Sequence, residues 1–124
     1  MPLAKDLVGP FTPGQAQADG GQCANALAAL GSSLATAAPI VASNTIVTGA
    51  DGTKAVALPY MVPGETVLIC NNSASSLIVY PQATVAISVS ASGMGTVGAS
   101  FTVTTYKVAT FTAITATQIL SQVA

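Results

Sequence analysis

The sequence predicts an all-β domain: an antiparallel β-sandwich or jelly-roll-like fold preceded by an extended N-terminal arm. Three observations predict it. From Pro39 onward, short β-branched runs recur about every 8–12 residues, each closed by Gly, Pro, Asn or Ser, which is the spacing of small sandwiches and barrels. Several of these runs alternate large residues with small or polar ones at period two, so one face of each strand is apolar. Helical patterns between the strands are missing, which argues against a parallel α/β sheet. With 124 residues, the chain is expected to hold one domain, residues 23–124, behind an arm of residues 1–22.

The arm is read from its punctuation. Pro2, Pro10, Pro13, Gly9, Gly14, Gly20 and Gly21 crowd residues 1–22, a density that stops a helix or a central strand from propagating. Leu3, Leu7, Val8 and Phe11 are large apolar residues for which a solvated tail has no use. They are the candidate contacts of an arm laid on a neighbouring subunit, the plain alternative being a frayed terminus. The start, MPLAKDLVGP, has no long apolar stretch behind Lys5, so no signal peptide is expected. Residues 23–38, CANALAALGSSLATAA, space Leu27, Leu30 and Leu34 by three and four, which predicts one short helix interrupted by Gly31-Ser32-Ser33, with a strand as the alternative.

The β pattern follows. Ile40-Val41 and Ile46-Val47 lead to Asp51-Gly52, a pair that tolerates positive φ and predicts a hairpin turn. In residues 53–58, Val56 and Leu58 alternate with Ala55 and Ala57, and Pro59 with Val62-Pro63-Gly64 marks a loop. Residues 66–70 form a continuous apolar strand, expected to be buried on both faces with Cys70 inside. Residues 71–76 read as a polar turn, and residues 77–80 as a strand stopped by Pro81. Val85, Ile87 and Val89 share one face, and residues 92–95 read as a loop. Phe101 and Val103 alternate with Thr102 and Thr104, and Tyr106-Lys107 reads as a corner. Ala109, Phe111 and Ala113 point one way and Val108, Thr110, Thr112 and Ile114 the other, before a closing strand in residues 117–123.

Composition narrows function. Charged residues make up 6% of the chain, where about 25% is usual. Lys5, Lys54 and Lys107 cannot neutralise a run of phosphates, so no nucleic-acid partner is expected. No apolar run approaches the ~18 residues of a spanning helix, so no membrane span is expected. Without His, the commonest general base and metal ligand is missing, and no cofactor or enzymatic activity is expected. Asp51 and Glu65 are the remaining candidates for a carboxylate pair, but each is explained by a turn or a strand start. Cys23 and Cys70 lack metal-site spacing and an activating His, and are expected to be unpaired. Gly93-Met94-Gly95 is a fragment of a Gly-rich loop with no lysine behind it. Tyr60, Tyr80 and Tyr106 sit at strand ends, where a tyrosine serves as a corner, an interface anchor or a glycan platform. A surface this poor in charge has little repulsion to keep copies apart, so a homo-oligomer is expected.

One stretch carries a resemblance. Val56-Ala57-Leu58-Pro59, Pro63-Gly64-Glu65-Thr66-Val67-Leu68-Ile69-Cys70-Asn71-Asn72-Ser73, Leu77-Ile78-Val79-Tyr80-Pro81, Ala109-Thr110-Phe111-Thr112-Ala113 and Ala116-Thr117-Gln118 follow one another over residues 53–118. This resembles a small β-rich domain found repeatedly in virion proteins of tailed bacteriophages. After Val-Tyr-Pro, the family often has a Gly-rich Ile-Asn-Gly segment, where this chain has Gln82-Ala83-Thr84-Val85. The resemblance implies a virion structural protein. The expected form is a capsid decoration (cement) protein on the capsid exterior, bound between copies of the major capsid protein and itself a homo-oligomer, with a trimer favoured. A fibre or receptor-binding module of a phage head or tail is the alternative.

Overall fold

The computed structural model describes residues 23–89 and 93–123, so Leu3, Leu7, Val8 and Phe11 of the expected arm lie outside the described residues. Within them the chain is all-β, with eleven strands: β1 (Cys23–Ala28), β2 (Ala38–Pro39), β3 (Asn44–Thr48), β4 (Ala55–Ala57), β5 (Thr66–Asn71), β6 (Leu77–Tyr80), β7 (Ala86–Val89), β8 (Gly93–Met94), β9 (Phe101–Val103), β10 (Val108–Thr115) and β11 (Gln118–Val123). They form a seven-stranded sheet, in the order β1-β3-β5-β10-β11-β7-β8, and a four-stranded sheet, β2-β4-β6-β9.

Both sheets are mixed, which corrects the expectation of an antiparallel fold. From β1 to β6 the chain alternates between the sheets, odd strands in the larger and even strands in the smaller. A chain that crosses to the other sheet and returns has reversed twice, so the new strand lies parallel to the one it left. Thus Asn44 stands opposite Leu68, 24 residues on, and Val56 opposite Val79, 23 residues on. The strand pairs β1–β3 and β2–β4 are parallel for the same reason. Antiparallel pairing enters in the second half, where β10 joins β5 and β11, and β9 joins β6. The same alternation corrects the expected Asp51-Gly52 hairpin. Those residues do turn the chain, but between strands of different sheets, and Gly52 takes φ of 90°.

The expected helix over residues 23–38 is also corrected. Residues 23–28 pair with β3, and Leu30 bridges Ala55, leaving only a turn in which Thr36 and Ala37 donate to the Ser33 carbonyl. The leucine spacing is compatible with a helical face, but β3 offers a whole edge of backbone partners, and that pairing decides. Gly93-Met94, read as loop, pairs with Ser88 and Val89 as the short strand β8.

Both sheets send side chains into one core. Val47, Ile69 and Phe111 from the larger sheet and Val56, Leu77, Val79 and Val103 from the smaller are fully buried. Phe111 of β10 meets Phe101 of β9 edge-on, with ring centroids 5.6 Å apart at 87°, so the contact spans the two sheets. Each such side chain contributes about 1.5–3 kcal/mol by leaving water. The alternation read at β10 holds, with Ala109, Phe111 and Ala113 inside and the intervening residues outside.

Candidate interaction surface

The outward face of the larger sheet is the most distinctive surface of the described chain. Along β5, Val67, Ile69 and Asn71 point to the core, and Thr66, Leu68 and Cys70 to the other side, where they are only half-buried. The expectation that this strand is covered on both faces, with Cys70 interior, is therefore corrected: among the described residues no layer covers its outer side. The register extends three rows across β3, β5, β10 and β11. One row is Ile46, Cys70 and Val108, the next Asn44, Leu68, Thr110 and Gln122, and the third Thr66, Thr112 and Leu120. Thr66 and Thr112 hydroxyls lie 3.3 Å apart, and Ile114 and Leu120 are about half exposed.

None of these rows holds a charged side chain. The four charged residues of the described chain lie beyond the strand ends. β3 and β5 are parallel, so the loop after β3, with Asp51 and Lys54, and the residue before β5, Glu65, sit at opposite ends of the sheet. Lys107 precedes β10 and lies beside the C-terminal end of β5, since Val108 pairs with Cys70. Asp51 and Glu65 therefore form no pair. Asp51 caps its own loop: Oδ1 accepts from the Thr53 hydroxyl at 2.6 Å, the Thr53 amide at 2.9 Å and the Lys54 amide at 3.1 Å. These bonds, the Thr53 hydroxyl first, hold its pKa below the usual 3.8. Glu65 closes the Pro63-Gly64 turn by accepting the Val62 amide at 2.7 Å. The described residues hold no cluster of three or more metal-ligating side chains.

At one edge of the face, β1 gains an extra residue between Ala24 and Leu27 relative to β3. This bulge borders a depression of about 230 Å³ lined by Cys23, Asn44, Ile46 and Leu68. Both cysteines are free thiols.

The three tyrosines do not converge. Tyr60 follows β4 and Tyr80 ends β6, at the C-terminal ends of these parallel strands, and Tyr106 precedes β10 at the other end. Tyr80 is half-buried and its hydroxyl donates to the Ser32 carbonyl at 2.8 Å, pinning the turn after β1. Tyr60 and Tyr106 are about two-thirds exposed, and Tyr106 holds φ of 56°, unusual for a side chain of its size. Sequence reasoning named the arm and the tyrosines but missed the Leu68-Thr110 face. Its signal was present in residues 66–70, apolar on both sides of a strand.

The chain was compared with family models, with curated proteins and with solved structures. None matches.

Proposed function

We propose that this chain is a virion structural protein of the tailed-phage kind, a capsid decoration (cement) protein. In this reading it binds the outer capsid surface between major capsid proteins and stabilises the head. The two sheets act as the layers of a sandwich, copies associate as a homo-oligomer, and residues 1–22, with Leu3, Leu7, Val8 and Phe11, lie on the shell. The protein is made in the host cytoplasm and works by adhesion, with no reaction to run.

The observation that carries the reading is the uncharged face built on Ile46, Leu68, Val108 and Leu120, a sheet surface suited to protein contact in a chain with 6% charged residues. Apolar area removed from water contributes about 25 cal/mol per Å², and repetition over many copies multiplies it. The sequence resemblance over residues 53–118 supplies the setting. The test is co-sedimentation of the purified protein with expanded tailed-phage capsids that lack a decoration protein, with and without residues 2–13. Saturable binding that the deletion abolishes is expected. No binding by either form would reject the reading, and unchanged binding after the deletion would reject the role of the arm.

The exposure of Tyr60 and Tyr106 favours one second reading, a fibre or receptor-binding module. A glycan array probed with the wild type and with Tyr60→Ala and Tyr106→Ala tests it, and tyrosine-dependent binding is the result that would support it.

A further inference from the structure

We infer that the outward face of β3, β5, β10 and β11 is the surface on which a second copy of this chain docks, face to face and with its strands reversed. The inference rests on the association proposed above and names its surface and symmetry.

Three observations carry it. The first is β5 itself, which is apolar on both sides yet, among the described residues, covered on one. Leu68 and Cys70 on the outer side are residues of the kind that a buried strand carries. The second is the absence of charge. A two-fold contact lays a patch against its own copy, so any charge near the axis meets its like. The rows centred on Leu68 and Thr110 contain none. The third is the charge at the two ends. Asp51, Lys54 and Lys107 sum to +1 at one end of the described sheet, and Glu65 gives −1 at the other. A two-fold axis lying across the strands sets the positive end of one copy over the negative end of the other. The area fits a reversible pair. Four strands spaced about 4.8 Å and six residues rising about 3.3 Å each give roughly 400 Å² per copy. That is at the small end for a specific contact, so the pair forms and separates with concentration.

The test is sedimentation velocity of the full chain from about 10 μM to about 1 mM, the range in which small interfaces associate. Thr110 is in the middle row of a central strand, so Thr110→Lys and Thr110→Glu place like charges near the axis. Wild type is expected to pass from monomer to dimer, each variant to associate at least about tenfold more weakly, and an equimolar mixture of the two to recover most of the loss. Circular dichroism and melting of each variant, unchanged from wild type, establish that the fold is intact. A wild type that stays monomeric, or a Thr110→Lys variant that pairs as wild type does, overturns the inference. Association that appears only after removal of residues 1–22 assigns the face to the chain's own N-terminal segment and also overturns it. The two proposals fail separately: a monomer that binds capsids overturns the pairing alone, and a dimer that binds none overturns the capsid reading alone.

Discussion

Asn71 offers the sharpest test of how one end of the smaller sheet is tied to the larger. It is fully buried at the end of β5, although the sequence places it in a polar turn. Its Nδ2 donates to the Ser75 carbonyl at 2.9 Å, the Val103 carbonyl at 3.1 Å and the Thr104 carbonyl at 3.2 Å. One amide thus joins the turn between β5 and β6 to the turn between β9 and β10. Its backbone N–H donates to Lys107, closing the same end of the sheet. Replacing Asn71 with Ala removes the donor from three acceptors. The bond to Val103 is buried, and a buried carbonyl left unpaired costs about 1–3 kcal/mol; the other two are partly buried and contribute about 0.5–1 kcal/mol each. Against this stands relief at Oδ1, which is buried without a partner among the described residues and costs about 1 kcal/mol as it stands. The net loss for Asn71→Ala is about 1–4 kcal/mol. Urea denaturation followed by far-UV circular dichroism reads it as a lower midpoint at constant slope. Asn71→Asp keeps the shape but turns the amide into an acid facing three carbonyls. Burial and those dipoles raise its folded-state pKa above the unfolded value, so its stability is greatest below the unfolded pKa and falls as pH rises through the folded one. Asn71→Asp is therefore expected to be worse than Asn71→Ala at pH 7 and to recover on acidification. A loss below about 0.5 kcal/mol for Asn71→Ala, the level of an ordinary surface change, would refute the reasoning.

Two further outcomes follow from the turns. Gly31 holds φ of 58°, and a Cβ added there would overlap the Thr36 hydroxyl that organises the turn after β1. Gly31→Ala is expected to cost at least about 2 kcal/mol, from the left-handed backbone and the overlap together, read as a lower melting temperature. Asp51 has a folded-state pKa depressed by Thr53 and Lys54, so the stability it contributes is present above the unfolded value of 3.8 and is lost as pH falls through the folded one. Asp51→Asn is expected to flatten the acid limb of the stability curve below about pH 4, checked by urea midpoints across pH 2–6; an acid limb identical to wild type would contradict the capping role.

The strands were legible where side-chain period decides them. β6 spans Leu77–Tyr80 as the run before Pro81 predicts, and β10 shows the inward Ala109, Phe111 and Ala113 that its alternation requires. Pairing direction was not legible. The same Val-Ile-Thr alternation serves a strand that returns by a hairpin and one that returns after visiting the other sheet, and Asp51-Gly52 marks a turn without stating how far the chain then travels. Asn71 was hidden for a related reason. Asn-Asn-Ser after an apolar run is the composition of a solvent turn, and only the carbonyls of Ser75, Val103 and Thr104, up to 33 residues away, make burial of the first Asn favourable. Residues 23–38 misled in the opposite direction. Ala and Leu favour a helix locally, while an open sheet edge at β3 offers hydrogen bonds that a lone short helix of this length cannot match.

The alternation that defeated the pairing forecast also bears on how such a chain survives at low charge. Among the described residues, strands that cross between sheets leave each parallel ladder open where it begins, and an open edge presents unpaired N–H and C=O groups to any other chain. The two edges differ in how they answer this. β2 is two residues long and carries Pro39, which has no N–H to donate, so it makes a poor template. β1 is six residues long, with no charge and no proline, and is protected mainly by the extra residue near Asn25 that disturbs its register. Charge, the usual guard against edge pairing, sits in the loops at the strand ends, away from both edges. The β2 edge is thus guarded against pairing, and on the pairing proposed above contact falls to the outer face of the larger sheet, whose rows around Leu68 and Thr110 carry no charge. A chain selected for solubility as a monomer would carry lysine or glutamate where Leu68, Thr110 and Leu120 stand. Their place in the middle of the sheet is what the pairing proposed above requires.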